Sequence, residues 1–192
     1  MSQSVGAANL AAGLQDPFLA RSPVIAITGR RPQAGQYRHA YQEIDHLEPF
    51  NAVTKYNVGV TDPSQLPHII RQAFREAITG SPGPVHLDFE GTTGAIIGDG
   101  EADIEVVIDN AFISVPPFRP EPDPALVREA AAVIANSQRP VIVSGGGVVT
   151  SGAEKQVVEL AELLSIPVAT SLNGKKTLLG DHPLSVGVCG AY

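Results

Sequence analysis

Three things are scarce in this chain of 192 residues, and each scarcity removes a class of function. Cysteine occurs once, at Cys189, which excludes an internal disulfide framework and fits a reducing compartment. Basic charge is short, since thirteen Lys and Arg against twenty Asp and Glu leave a formal net charge of -7. That balance opposes electrostatic capture by nucleic acid or by an anionic membrane surface, so a phosphate-bearing ligand has to be met by local donors. Long apolar runs are missing too. No stretch approaches the length of a membrane span, and the opening MSQSVGAANL has neither a basic n-region nor an apolar h-region. The expectation is a cytoplasmic protein with no nucleic-acid and no membrane partner.

What is present is an ordinary apolar share of 43% in a chain long enough for one large domain or two small ones. Short apolar runs alternate with longer segments of helical period, the pattern of an α/β protein with parallel sheets covered by helices. The runs are Pro23 to Thr28, Pro84 to Phe89, Pro140 to Ser144 and Pro167 to Thr170, each opening on a proline that costs no ladder donor at a strand's first residue. One helix is predicted from Asp62-Pro63 to Gly80, with Leu66, Ile69, Ile70, Ala73, Phe74, Ala77 and Ile78 on one face. A second opens at Asp123-Pro124, and a third at Ser151, where Glu154 would complete a capping box. Between Gly91 and Pro122 neither period persists, because glycines, acidic residues and a proline-rich run interrupt both. This segment reads as a linker between two α/β units.

Four polar features compete as sites. Gly98-Asp99-Gly100, followed by Asp109-Asn110, has the look of a turn aiming a carboxylate at magnesium, but a linker seldom holds a carboxylate rigidly enough for that ion. The stretch from Gln36 to Asn57 lies past a predicted strand end, where open α/β sheets place ligands. Within it, His39, Glu43 and His46 stand at spacings that fit no zinc pattern well, and solvated residues on a short helix are the plainer reading. His68, His86 and His182 have no partner spacing. Gly145, Gly146 and Gly147 lie between a strand and a helix, where backbone donors can meet a phosphate. Thr150 takes the place of the third glycine of a dinucleotide fingerprint and no acid ends the next strand, so a ligand-free tight turn is an equal reading.

In order along the chain, GAANLAAGLQDPFLARSPVIAITG, AYQE, TKYN, GSPGPVHLDF, RPVIVSGGG and SLNGKKTLLGDHPLSVGVCG resemble the thiamine diphosphate enzymes related to the acetolactate synthase large subunit. The resemblance covers nearly the whole chain. It implies that residues 1–90 are the second half of a pyrimidine-binding domain, 91–122 a linker, and 123–192 the start of a central domain, both ends being cut. It also implies that Gly98-Asp99-Gly100 is a decoy, because the family's magnesium turn lies in another domain, and so does the diphosphate site. Thiamine diphosphate with Mg2+ would belong to an intact parent, a decarboxylase or carboligase acting on a small 2-oxoacid as a homodimer or homotetramer. The glutamate that activates the cofactor would lie upstream, so the isolated chain is expected to be inactive.

Residue by residue, Gly6 and Asn9 fit the family's loop near the cofactor, with Ser4-Val5 replacing its Gly-Pro. Gln42 fits the glutamine that orients the adduct, Tyr41 the substrate pocket, and Lys55 the channel mouth. Asn9, Tyr41 and Gln42 should then meet near the carboxyl ends of the first unit's strands, and Asp99 should have no carboxylate partner. FAD would sit on Gly145, Gly146, Gly147 and the turn through Asn173 and Gly174, but Asn51 and Cys189 stand where the synthases carry an arginine and a histidine. Two alternatives stay open, a free-standing FAD or NAD module and a catalytically silent interaction remnant.

Overall fold

The computed structural model describes residues 3–32, 35–91, 105 and 108–190. They form two compact units, residues 1–117 and 118–192, so the boundary falls between Pro117 and Phe118. Each described unit contains a three-stranded parallel sheet.

In the first unit, helices α1 (Val5–Gly13) and α2 (Gln15–Leu19) precede strand β1 (Val24–Arg30). Helix α3 (Leu47–Asn51), strand β2 (Tyr56–Val60), helix α4 (Leu66–Ile78) and strand β3 (Pro84–Glu90) follow. The strand order is β1-β3-β2, which puts β3 in the middle with all seven residues buried. Successive side chains on a strand point to opposite faces. Val85, Leu87 and Phe89 therefore pack with Val60 and with Ile69, Ala73, Ala77 and Ile78 of α4. On the other side, Ala26 of β1 packs with Ala7, Ala11 and Leu14 beneath α1 and with Phe50 and Val53 around α3. His86 faces this second layer, its ring stacked on Phe50 at 3.6 Å between centroids.

Local chemistry explains the helix boundaries. Asp62 accepts from the Ser64 amide at 2.9 Å, Pro63–Gln65 form one turn of 3-10 helix, and α4 continues from Leu66. Ile70 and Phe74, predicted on the buried face, are 39% and 47% exposed, so the buried stripe is narrower than the sequence pattern. At its far end α4 stops before Gly80, whose φ of +64° suits glycine. Lys55 completes this terminus by donating from Nζ to the carbonyls of Glu76 at 2.5 Å and Thr79 at 2.8 Å. A Cβ on Gly83 would lie 2.9 Å from the Lys55 stem, so that glycine gives the lysine its path.

The described end of the predicted linker is not a free tether. Asp109 pairs with Arg71 and Arg75, and the Arg75 guanidinium lies 4.9 Å over the Phe112 ring, which packs against the α4 side of the core. Asp99 lies outside the described residues.

The second unit contains α5 (Pro124–Ala135), β4 (Ile142–Ser144), α6 (Gly146–Ser151), α7 (Glu154–Leu164), β5 (Val168–Thr170) and β6 (Ser185–Val188), with strand order β4-β5-β6. Asp123 caps α5 through the Ala125 amide at 2.7 Å, in line with the sequence signal. The predicted capping box at Ser151 is not formed. Ser151 ends α6, with its hydroxyl bonded to the Val148 carbonyl, Gly152 takes the left-handed conformation, and α7 opens from Ala153 without a side-chain cap. Ala161 of α7 packs with Val168 and Leu178, with Val158 alongside, whereas α5 has no buried residue.

Candidate functional site

The carboxyl ends of β1 and β3 carry the densest polar chemistry, and strand register places it there. Ala26, Thr28 and Arg30 of β1 lie opposite His86, Asp88 and Glu90 of β3, while Asn57 and Gly59 of β2 lie opposite His86 and Asp88. Thr28, His86 and Asp88 are completely buried and His46, just before α3, is 1% exposed. They form one chain of hydrogen bonds. Asn57 Oδ1 meets His86 Nδ1 at 2.7 Å, His86 Nε2 meets the Thr28 hydroxyl at 2.7 Å, and that hydroxyl meets Asp88 Oδ1 at 2.6 Å. His46 Nδ1 reaches the same carboxyl oxygen at 3.1 Å, and His46 Nε2 accepts from the Ser4 amide at 2.9 Å. Burial holds the His86 ring down to about 4, against the pull of the Asp88 carboxylate, and the neighbouring His46 ring lowers it further.

Arg30 roofs this cluster, with Nε 3.6 Å from Asp88 Oδ2 and a terminal nitrogen 3.9 Å from Glu90. Gly59 makes room for it, since a Cβ there would sit 2.7 Å from the guanidinium. Beyond Arg30 lies a cavity of about 280 Å³ whose walls include Arg31, Gln36, Tyr37, His39 and Glu43. Tyr37, His39 and Gln42 all have positive φ, an unusual density for residues with side chains. Glu43 holds this loop by accepting from the amides of Ala40 at 2.8 Å, Arg38 at 3.3 Å and Tyr37. The Ala40 bond first, and the other two with it, keep the Glu43 carboxyl below its ordinary range.

This arrangement redistributes the histidines. His46 is buried and bonded instead of solvated, while His39 stays exposed and Glu43 is committed to backbone amides. Among the described residues no group of three His, Cys, Asp or Glu could hold a metal ion. His86, which carried no signal in the sequence, is the centre of the network. Its hydrogen-bond partners Asn57 and Thr28 lie 29 and 58 residues away, so spacing could not reveal them. The readable sign was the alternation of His86, Asp88 and Glu90 with Val85, Leu87 and Phe89 in one strand.

The residues picked from sequence are placed as follows. Ser4 has φ 47° and ψ -114°, and α1 starts at Val5, so Gly6 and Asn9 lie on a helix, not on an open loop. Asn9 is exposed, as are Gln42 and Tyr41, the latter at 79%. Tyr41 is tied to the end of β1 through its carbonyl, which accepts from Arg31 Nε at 2.9 Å. Among the described residues no hydrogen bond joins Asn9, Tyr41 and Gln42. The Lys55 amine serves the end of α4, and desolvation lowers its pKa.

In the second unit, Gly145 precedes a six-residue α6, and the glycines of the turn meet their own chain. A Cβ on Gly174 would lie 2.2 Å from the Ser144 carbonyl oxygen, and one on Gly146 would lie 3.1 Å from Asn173. Ser144 also bonds Thr177 at 2.6 Å, and its carbonyl accepts from the Ser171 amide at 2.8 Å. Close packing of two turns therefore accounts for Gly146 and Gly174. Gly147 has open space around its Cα.

Comparison with known proteins gives the context. Residues 127–192 match the family described as thiamine pyrophosphate enzyme, central domain. Over 189 residues the chain is 42% identical to a probable acetolactate synthase large subunit of Methanocaldococcus jannaschii, covering 97% of this chain and 31% of that protein. It is 33% identical to acetolactate synthase 1, chloroplastic, of Zea mays, across 97% of this chain and 28% of the relative. The crystal structure of benzoylformate decarboxylase from Polynucleobacter necessarius superposes with a TM-score of 0.77 at 22% identity, covering 97% of this chain and 34% of that one. At that identity the likeness speaks for the fold. The chain thus spans about a third of the length of the relatives it matches.

Proposed function

We propose, for a chain related to the thiamine diphosphate enzymes, that it is the stretch of an acetolactate synthase-like protein joining the pyrimidine-binding domain to the central domain. The observation that carries this reading is 42% identity sustained over 97% of the chain. A free-standing FAD or NAD module finds no support, because the match is to a thiamine enzyme's central domain and Gly146 and Gly174 approach their own chain.

The residues present fit the cofactor in part. Among the described residues there is no group of three His, Cys, Asp or Glu that would hold a magnesium ion. The exposed amides of Asn9 and Gln42 suit the cofactor, since a neutral amide orients polar groups without competing for protons. When bound, thiamine diphosphate supplies the carbanion chemistry that decarboxylates a 2-oxoacid and passes the remaining carbons to an acceptor. This chain contributes orientation. Gln42, held at positive φ on the loop that Glu43 fastens, would orient the reacting group, and the exposed Tyr41 beside it would meet a small 2-oxoacid. The active protein is a homodimer or homotetramer.

The test is an assay of this chain extended to its relatives' length, with magnesium, thiamine diphosphate and pyruvate. Carbon dioxide release is expected, and Gln42→Leu should lower kcat by about two orders of magnitude with a small change in KM, as for loss of one transition-state hydrogen bond. Cofactor-independent turnover, or an undiminished Gln42→Leu variant, would contradict the assignment. The 192-residue chain by itself should release none.

A further inference from the structure

Tyr41 and Gln42 stand at the two corners of a β-turn. The Glu43 amide donates to the Ala40 carbonyl at 3.0 Å, which closes the turn from Ala40 to Glu43. Gln42, at its third position, has φ 62°, whereas Tyr41 at the second keeps φ negative. That combination is a type II turn, whose third position ordinarily takes glycine or asparagine. Glutamine is strained there, and such a conformation persists only where the surrounding bonds over-determine it. Packing gives no reason for the strain, since Tyr41 and Gln42 are exposed and bury nothing in the core.

Two side chains supply those bonds. Glu43 folds back over the turn and accepts from the Ala40 amide at 2.8 Å, so Ala40 and Glu43 are joined in both directions. Its carboxylate also takes the Arg38 amide at 3.3 Å and the Tyr37 amide, which ties the turn to the loop before it. Arg31, just past β1, acts on the central peptide of the turn, with Nε donating to the Tyr41 carbonyl at 2.9 Å. Turns of types I and II differ by a flip of that peptide. While the carbonyl is held, Gln42 keeps its positive φ. Once released, the peptide can turn over to type I, where Gln42 would relax to about -90° and its side chain would leave the turn in another direction.

We propose that Glu43 and Arg31 are positioning residues for Gln42: Glu43 closes the turn, Arg31 sets its central peptide, and together they aim the Gln42 amide at the reacting group. The inference rests on the role given to Gln42 under the proposed function and adds the two residues through which that role is set. Both act through the backbone. Glu43 spends its carboxylate on amides and Arg31 its Nε on a carbonyl, so neither bond reaches a substrate.

The test is a double-mutant cycle in the chain extended to its relatives' length, assayed with magnesium, thiamine diphosphate and pyruvate. Glu43→Leu and Arg31→Met should each lower kcat about tenfold with little change in KM, and Glu43→Gln, which keeps one accepting oxygen, should recover part of the loss. In a Gln42→Leu background the same changes should cost less than about twofold, because the amide they position is gone. Equal losses with and without Gln42 would overturn the positioning role and leave the role of Gln42 standing. Undiminished turnover in Gln42→Leu alone would remove the reading on which both rest. A second readout needs no turnover. In the isotopically labelled 192-residue chain, the Cα and Cβ shifts of Gln42 should mark a positive φ and move toward those of a negative φ in Arg31→Met. Shifts of a negative φ in the parent, or shifts unmoved in both Arg31→Met and Glu43→Leu, would also overturn the proposal.

Discussion

The two faces of β3 are built from alternate residues of one heptapeptide and are held by different physics. Val85, Leu87 and Phe89 meet α4 through apolar packing, in which each side chain contributes its own burial. His86 and Asp88 meet Thr28, Asn57 and His46 through hydrogen bonds, in which each group depends on its neighbour's polarity. The apolar face tolerates approximate shapes, while the polar face tolerates only one pattern of donors. A buried strand with charged residues at every second position can therefore be a wired core and need not be a binding surface.

The largest expected effect breaks the apolar face. Leu87→Ala, at a side chain 1% exposed, should cost about 2–5 kcal/mol in denaturant unfolding. Asn57→Leu strikes the end of the polar face. It leaves the His86 Nδ1 proton and the Leu47 carbonyl without partners and should cost about 1–3 kcal/mol, with the loss greatest for hydrogen-exchange protection around β2 and α3. A smaller change, about 1 kcal/mol, is expected for Lys55→Met, which keeps the stem beside Gly83 but removes the donor at the end of α4. The smallest effect has the opposite sign. Ser4→Gly should stabilise the chain by about 0.5 kcal/mol, because φ 47° is strained for serine while the backbone amide that bonds His46 is retained. A loss at Ser4→Gly would mean that the serine side chain has a role that the hydrogen bonds do not show.

Much of the fold could be read from the sequence, and the gaps have physical causes. The four apolar runs became β1, β3, β4 and β5, although only β3 begins on its proline. Strand β2 was hidden because Tyr56 to Gly59 are only half-buried and its start lies in a polar stretch. Strand β6 was hidden because Val186 and Val188 are followed at once by Cys189-Gly190 and stay at least half exposed. The capping box at Ser151 failed because a helix already occupied the serine, so a local signal lost to the preceding turn. Family resemblance located Gln42 and Tyr41 on the loop past β1, where the positive φ values cluster. It placed Asn9 on a loop that proved to be helix α1, and it offered a channel role for Lys55, whose amine is bonded to α4. The polar network escaped because its bonds are long in sequence, and only register brings Thr28 and Asp88 to the same rung.

The most direct test of a wired polar face is a pH titration of the His86 ring, followed through its carbon-bound protons between pH 3 and 8. Burial without a counter-charge on its own bonding partners predicts a ring that stays neutral through pH 5 and titrates at about 4. A midpoint near the ordinary value of 6.5 would show that water reaches the ring, and would contradict the account of this face as a closed hydrogen-bonded core.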